Sequence, residues 1–240
     1  MKIILATSNA GKLKEFKSLL APHEIIAYSE ILEPFEIDEN ENTFAKNAKI
    51  KAMAVYEALL MAFAKPEKPL VNECKIAWEN GDLAVLSDDS GISVEALNGE
   101  PGIFSARYSS DICSTPNSTS NRAKMITKLN ELNLKSSRAF YTAALALIYP
   151  DLAKNFANNY AKILANSKPL LCYIVHGFLH GEVIPFERGE NGFGYDFMFI
   201  PDGFRHTLGE LDTAIKAKIS HRARASDALM PILKMLSKKF

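Results

Sequence analysis

Cysteine is scarce in this chain: Cys74, Cys113 and Cys172 are the only three in 240 residues. They are odd in number, widely spaced and form no Cys-x-x-Cys pair. That argues against both a disulfide framework and a zinc site, and fits a reducing cytoplasm. Charge of one sign is not in excess either, since Lys+Arg and Asp+Glu both number 28. No global field draws the protein to nucleic acid or to anionic lipid, so any phosphate binding has to come from a local site. Long hydrophobic runs are missing. The longest, Ala58–Ala64 and Ala143–Tyr149, fall far short of a membrane span, and Ile3-Ile4-Leu5-Ala6 is too short for the apolar part of a signal peptide. There are no internal repeats and no low-complexity linkers. The expectation is a soluble intracellular protein with no nucleic-acid and no membrane partner, its 48% hydrophobic content ordinary for a globular fold.

Apolar periodicity supplies the elements. A strand is expected over Lys2–Thr7, a helix over Gly11–Leu20 and a second strand over Ile25–Tyr28. A long helix follows from about Thr43 to Ala64, capped by Asn42 or Thr43 and stopped by Pro66 and Pro69. Leu83–Ser87 reads as a strand leading into a turn at Asp88-Asp89, with Ile92–Ala96 extended beyond it. The Ser-, Thr- and Asn-rich residues 109–121 read as a loop before a helix from about Arg122 to Leu132. Ala139–Tyr149 reads as a buried strand, 151–166 as helical, Leu170–Pro185 as a hairpin around Gly177 and Gly181, and Phe197–Ile200 as another strand. The remainder is helical from roughly Gly209, broken near Ile219-Ser220 and perturbed by Pro231. Strands and helices mixed in this order imply an α/β or α+β fold around a central sheet.

Several segments could carry chemistry. Ser87-Asp88-Asp89-Ser90-Gly91 places two adjacent carboxylates at the end of an apolar strand. Consecutive acids repel one another and suit a cation such as Mg²⁺, which takes one or two carboxylates together with substrate phosphates. The competing reading is an Asx turn closed by Gly91. Thr7-Ser8-Asn9-Ala10-Gly11-Lys12 joins a strand to a helix, where unpaired N–H groups, hydroxyl and amide donors and a lysine can meet a phosphate. It is not a Walker loop, because Ala6 and Leu13 stand where that motif needs glycine and Ser/Thr. The simpler alternative is a helix cap. Asp38, Glu39 and Glu41 precede the long helix and read either as a solvated acidic loop or as half of a metal site. Gly189 to Asp196 sets three glycines around Phe193 and Tyr195, a backbone able to approach a flat ligand, or a glycine-rich hairpin. Lys216 with Ser220-His221-Arg222 offers donors to a phosphate or a base edge, or else a surface basic cluster. His23, His176, His180 and His206 have no partners at ligand spacing.

In this order, the segments resemble the house-cleaning inosine/xanthosine triphosphate pyrophosphatase family, which acts on non-standard purine nucleoside triphosphates. The resemblance rests on Leu5–Lys12, Thr43-Phe44 with Asn47-Ala48, Ser87–Gly91, Pro101–Tyr108, Gly192–Asp196 and Ser220–Arg222, and so spans residues 5 to 222. It implies a single domain over 1–240 with an elongated, two-lobed α/β fold, a mixed sheet flanked by helices and the active site in the cleft between lobes. It also implies a cytoplasmic homodimer that uses Mg²⁺ to hydrolyse ITP, dITP or XTP to monophosphate and pyrophosphate. By motif, Thr7, Ser8, Asn9, Ala10, Gly11 and Lys12 take the triphosphate, and Lys12 also serves catalysis. Glu39 and Asp89 serve the metal, Asp89 is the general base, and Ser90 touches substrate. Phe193, Gly194, Tyr195 and Asp196 form the base pocket, closed by Lys216, His221 and Arg222. The family's glycine between its glutamate and Thr-Phe is absent from Glu39-Asn40-Glu41-Asn42-Thr43-Phe44, which leaves Glu39 and Glu41 both open. Lys218 is an alternative to Lys216, and the stretches near 60–80 and 151–168 look like insertions. A pocket of N–H donors aimed at a 6-oxo group meets a donor in adenine, a mismatch able to discriminate by ~10⁴. A relative of the same fold, the Maf-type pyrophosphatases, and a non-catalytic nucleotide-binding module are the alternatives.

Overall fold

In the computed structural model, which describes residues 1–150 and 170–237, the apolar segments form one six-stranded sheet. Its strands are β1 (Lys2–Leu5), β2 (Glu24–Ala27), β3 (Leu83–Val94), β4 (Ser137–Pro150), β5 (Leu170–Val183) and β6 (Phe199–Pro201), in the order β2-β1-β3-β4-β5-β6. β1 runs parallel to both neighbours, with Ile4 opposite Ile26 on one side and Val85 on the other. β6 lies antiparallel on β5, Glu182 opposite Ile200. Ile3, Ile4 and Leu5 have no exposed surface, as expected for a strand covered on both faces. This is the α/β arrangement with flanking helices.

The chain divides into two compact units. The first gathers Met1–Asp88 with the described parts of Leu145–Val175 and Leu229–Phe240, the second Asp89–Ala144 and His176–Ala228. In the first, α1 (Ala10–Leu19) follows β1, and α2 (Phe44–Ala64) and α3 (Pro69–Glu79) lie between β2 and β3. Of the two caps considered for α2, Thr43 takes the role, its hydroxyl accepting from the Lys46 N–H at 3.2 Å. Ala48, Ala52, Val55, Leu59 and Phe63 recur at helical spacing and bury one face of α2. The stretch near 60–80 holds the end of α2 and then α3, which begins at Pro69 and brings Trp78 to 6.0 Å from Phe63. The helix expected over 151–166 and the second supposed insertion, near 151–168, lie outside the described residues.

The second unit has its own core, in which Ile92, Val94, Met125, Leu129, Val183 and Phe199 cluster. Helix α4 (Ser118–Glu131) begins earlier than the composition suggested. The Ser/Asn-rich residues there form its capping box: Asn117 accepts from the Ser120 N–H while Ser120 Oγ accepts from the Asn117 N–H. The expected break near Ser220 is present, separating α5 (Thr213–Ile219) from α6 (His221–Ser237). Ser220 is extended (φ −60°, ψ 154°) and its hydroxyl accepts from the Ala223 N–H at 3.0 Å. Pro231 sits inside α6 without ending it.

Two expectations are overturned. Asp88-Asp89 does not form a turn, because β3 runs unbroken from Leu83 through both acids and Gly91 to Val94. Its polar side chains find partners within their own units. Ser87 donates to the Ala48 carbonyl, Asp88 pairs with Lys12, and Ser90 accepts from Arg222. Nor is Leu170–Pro185 a hairpin; β5 is one 14-residue strand. Gly177 and Gly181 mark close approaches rather than turns. A Cβ on Gly177 would collide with the His221 carbonyl and the Ala225 backbone, and one on Gly181 with the Ile200 carbonyl.

Candidate active site

The loop between β1 and α1 is built as a helix N-terminus. Asn9 Oδ1 accepts from the Lys12 N–H at 3.1 Å, and Thr7 Oγ1 accepts from the Asn9 N–H at 3.2 Å. Asn9 is therefore a cap, as the simpler reading held, yet Ser8, Asn9, Ala10 and Gly11 remain exposed around it. Lys12 turns toward β3. Its Nζ lies 2.8 Å from Asp88 Oδ2 and 3.3 Å from the Asp88 carbonyl, and the Asp88 side chain has 0% exposure. The fold has thus brought the β1–α1 loop to a fully buried carboxylate within one compact unit.

The acidic segment before α2 lies in the same unit, and its members part company there. Glu39 pairs with Lys51 at 2.9 Å, and Lys51 lies on the buried side of α2. Glu41 pairs with the exposed Lys46 at 3.1 Å, and its backbone N–H donates to the buried Asn47 Oδ1. Asp38 is exposed. Lys51 escaped sequence reasoning; the available signal was a lysine amid the apolar positions of α2, between Ala48 and Val55.

In the second unit β3 continues with Asp89, which is buried, and Ser90, whose hydroxyl accepts from Arg222 Nη2 at 2.6 Å. The Gly192–Asp196 loop is neither a hairpin nor a strand but a series of turns. Gly192 adopts φ +103°, and a Cβ there would strike the Asp196 carboxylate, so only glycine fits. That carboxylate accepts from the Phe193 N–H at 2.9 Å and also pairs with Lys216 Nζ. Phe193 is 39% exposed, with Lys216 Nζ at 4.8 Å and Arg222 Cζ at 5.4 Å from its ring centroid. Lys216, not the exposed Lys218, is therefore the lysine turned into this cluster. His221 stacks on Tyr141 with centroids 4.6 Å apart and planes 7° apart. Burial, and then the charge of Asp196, push the Tyr141 hydroxyl well above its ordinary range. Tyr141 was not singled out in the sequence.

The residues offered for a metal are chemically suited to a hard divalent cation. Glu39, Asp88 and Asp89 supply carboxylate oxygens, with no thiolate or imidazole among them. Among the described residues no group of three or more acids, histidines or cysteines is gathered as a metal cluster. Among those residues, too, no helix is long and apolar enough to cross a membrane, and the three cysteines are free thiols.

The α/β sheet thus carries, in the first unit, a capped helix N-terminus beside a buried carboxylate and, in the second, an exposed phenylalanine between two cations. The chain belongs to the Ham1 family, whose model matches residues 3–232. It is 47% identical over 240 residues to a dITP/XTP pyrophosphatase of Campylobacter hominis, with all of both chains covered. It is 43% identical over 239 residues to a dITP/XTP pyrophosphatase of Sulfurovum sp., covering 100% of this chain and 96% of that one. Among solved structures it resembles the Ham1 protein of Staphylococcus aureus (TM-score 0.69, 28% identity, 98% and 99% of the two chains covered). A HAM1 protein from Coxiella burnetii matches with the same TM-score and coverage at 30% identity.

Proposed function

We propose that this protein hydrolyses ITP, dITP and XTP to the monophosphate and pyrophosphate, removing non-standard purines from the nucleotide pool. The observation that carries this reading is Lys12 held against the fully buried Asp88 at the N-terminus of α1. A cation and the open N–H groups of a helix end suit a triphosphate. The relatives named dITP/XTP pyrophosphatase, alike from end to end, supply the substrate class.

Water attacks the α-phosphorus, the bond to the bridging oxygen breaks, and pyrophosphate leaves. Asp89 accepts the proton lost by that water. Ser8, Asn9 and Lys12 hold the phosphate chain and offset its charge, and Thr7, Ala10 and Gly11 shape the loop around it. Glu39 and Asp89 are the carboxylates assigned to a divalent cation, taken to be Mg²⁺. When bound, it neutralises phosphate charge and polarises the reacting phosphoryl group. The base stacks on Phe193, with Gly194, Tyr195 and Asp196 shaping its pocket and Lys216, His221 and Arg222 presenting donors to a 6-oxo purine. Ser90, tied to Arg222, completes that end. The whole chain acts as one functional domain, works in the cytoplasm as a homodimer, and takes no nucleic acid as partner.

The test is direct. Purified protein with Mg²⁺ is given ITP, XTP, ATP or GTP beside an Asp89→Asn control, and the products are identified. Monophosphate and pyrophosphate from ITP and XTP, weak turnover of ATP and GTP, and an inert control are expected. A diphosphate with orthophosphate would refute the reaction, and equal turnover of ATP would refute the pocket.

A further inference from the structure

Arg122 lies on α4, outside every segment that the sequence marked for chemistry, and is only 8% exposed. Its Nη1 donates to the Gly194 carbonyl at 3.0 Å, and its Nε lies 2.9 Å from the Glu187 carboxylate. Its Cζ stands 4.7 Å from the centroid of the Phe197 ring. Glu187 and Phe197 flank the Gly192–Asp196 loop on its two sides, so this one guanidinium ties both ends of the loop to its middle.

The atom it holds is informative. The Gly194 carbonyl and the Tyr195 N–H belong to one planar peptide and point in opposite directions. The Tyr195 backbone lies near the Tyr141 hydroxyl, and Tyr141 is the ring on which His221 stacks. The Tyr195 hydroxyl in turn donates to the Ser105 carbonyl at 2.9 Å. The peptide is held at its carbonyl by Arg122, and the next side chain is anchored by Ser105, with Phe193 just before and Asp196 just after. An arginine suits this task and a lysine does not. The planar fork can bond a carbonyl, pair with a carboxylate and stack on a ring at once, whereas an ammonium is a point charge. Burying a guanidinium is costly, and an apolar side chain could have packed α4 here without that cost.

We propose that Arg122 is a positioning residue for base selection. By fixing the Gly194–Tyr195 peptide, it holds Phe193 and Asp196 in the arrangement that admits a 6-oxo purine. This rests on the proposed activity toward ITP and XTP. It places a specificity determinant on α4, a helix that contributes no other residue to the proposed base pocket.

The test compares wild type, Arg122→Lys and Glu187→Gln. Steady-state kcat and KM are measured for ITP and ATP by pyrophosphate release, and amide hydrogen exchange is followed over 189–198. In Arg122→Lys the KM for ITP is expected to rise roughly ten- to hundredfold, the range spanned by loss of a hydrogen bond to a charged group. kcat should change little, the preference for ITP over ATP should narrow, and exchange over 189–198 should quicken while Ser8–Lys12 stays unchanged. Glu187→Gln should move every readout the same way by less. An equal fall in kcat for both nucleotides, with KM, preference and exchange unchanged, would show that Arg122 only supports the fold and would overturn the proposal. If Arg122→Lys fails to fold, Glu187→Gln decides on the same readouts, since it loosens the guanidinium without removing it. A wild type that releases no pyrophosphate from ITP would instead refute the activity, and the exchange arm, which needs no turnover, would still test the grip on the loop.

Discussion

Lys12→Met is the most demanding perturbation of the site. The lysine is 18% exposed, whereas the Asp88 side chain it meets at 2.8 Å is 0% exposed, so the substitution takes a positive charge away from a carboxylate that cannot reach water. Removing one member of a buried pair costs about 3–5 kcal/mol. Part of that returns, because the acid can protonate and the lysine end of the pair already borders solvent. A loss of about 2–4 kcal/mol remains, or roughly 5–12 °C in Tm for a chain of this length. Lys12→Met/Asp88→Asn should recover at least about half of it, since an amide in that position carries no charge to desolvate. Urea denaturation followed by tryptophan fluorescence measures this cleanly. Trp78 is the single tryptophan of the chain, is buried, and belongs to the same compact unit as the pair. Both variants should lose turnover, which separates the two functions of Lys12: activity falls in each, while stability falls mainly in one. A single variant within about 0.5 kcal/mol of wild type, or a double variant equal to the sum of the singles, would refute the assignment of Asp88 as a buried charge dependent on Lys12.

Gly177→Ala should destabilise by about 1–3 kcal/mol through overpacking, because its Cβ would meet the His221 carbonyl and Ala225 backbone; thermal melting and the KM for ITP should worsen together as α6 is displaced. Glu39→Gln should abolish most turnover while Glu41→Gln keeps it, since the first carboxylate is held by the inward Lys51 and the second by the exposed Lys46; matched activities in the two variants would refute the assignment. Burial pushes the Cys74 thiol from 9.0 up to about 11. Its folded pKa lies above its unfolded one, so the stability it contributes is full below about pH 9 and is lost as pH rises through about 11. Stability of a Cys74→Val variant should be less sensitive to pH across that window, and in the native protein a thiol reagent should modify the exposed Cys172 well before Cys74.

What the sequence made legible was local. Asn9 and Thr43 cap the helices they precede, and Ser220 breaks the last two helices apart, because a cap or break is decided within three or four residues. The double aspartate misled for the opposite reason. Its neutralising lysine is 76 residues away in the chain, so nothing nearby in sequence announced that a strand could pass through two acids. Gly177 misled because glycine marks both turns and close approaches, and only the arrival of α6 over β5 distinguishes them here. The candidate residues themselves were largely legible as motifs. What holds them was not: Lys51, Tyr141 and Arg122 sit in otherwise ordinary helix and strand patterns, and their roles come from tertiary neighbours. Glu39 and Glu41, both open in the sequence, differ in the structure by their partners, Lys51 and Lys46.

Four cations among the candidate residues and their supports pair with an acid of their own compact unit: Lys12 with Asp88, Lys51 with Glu39, Lys216 with Asp196 and Arg122 with Glu187, while Arg222 donates to the Ser90 hydroxyl. Pairing of this kind leaves less standing field for salt to screen. A phosphate reaching Lys12 would enter by exchange, displacing or sharing the Asp88 carboxylate. Binding should therefore fall only gently with ionic strength, unlike that of proteins that attract polyanions through an open basic face.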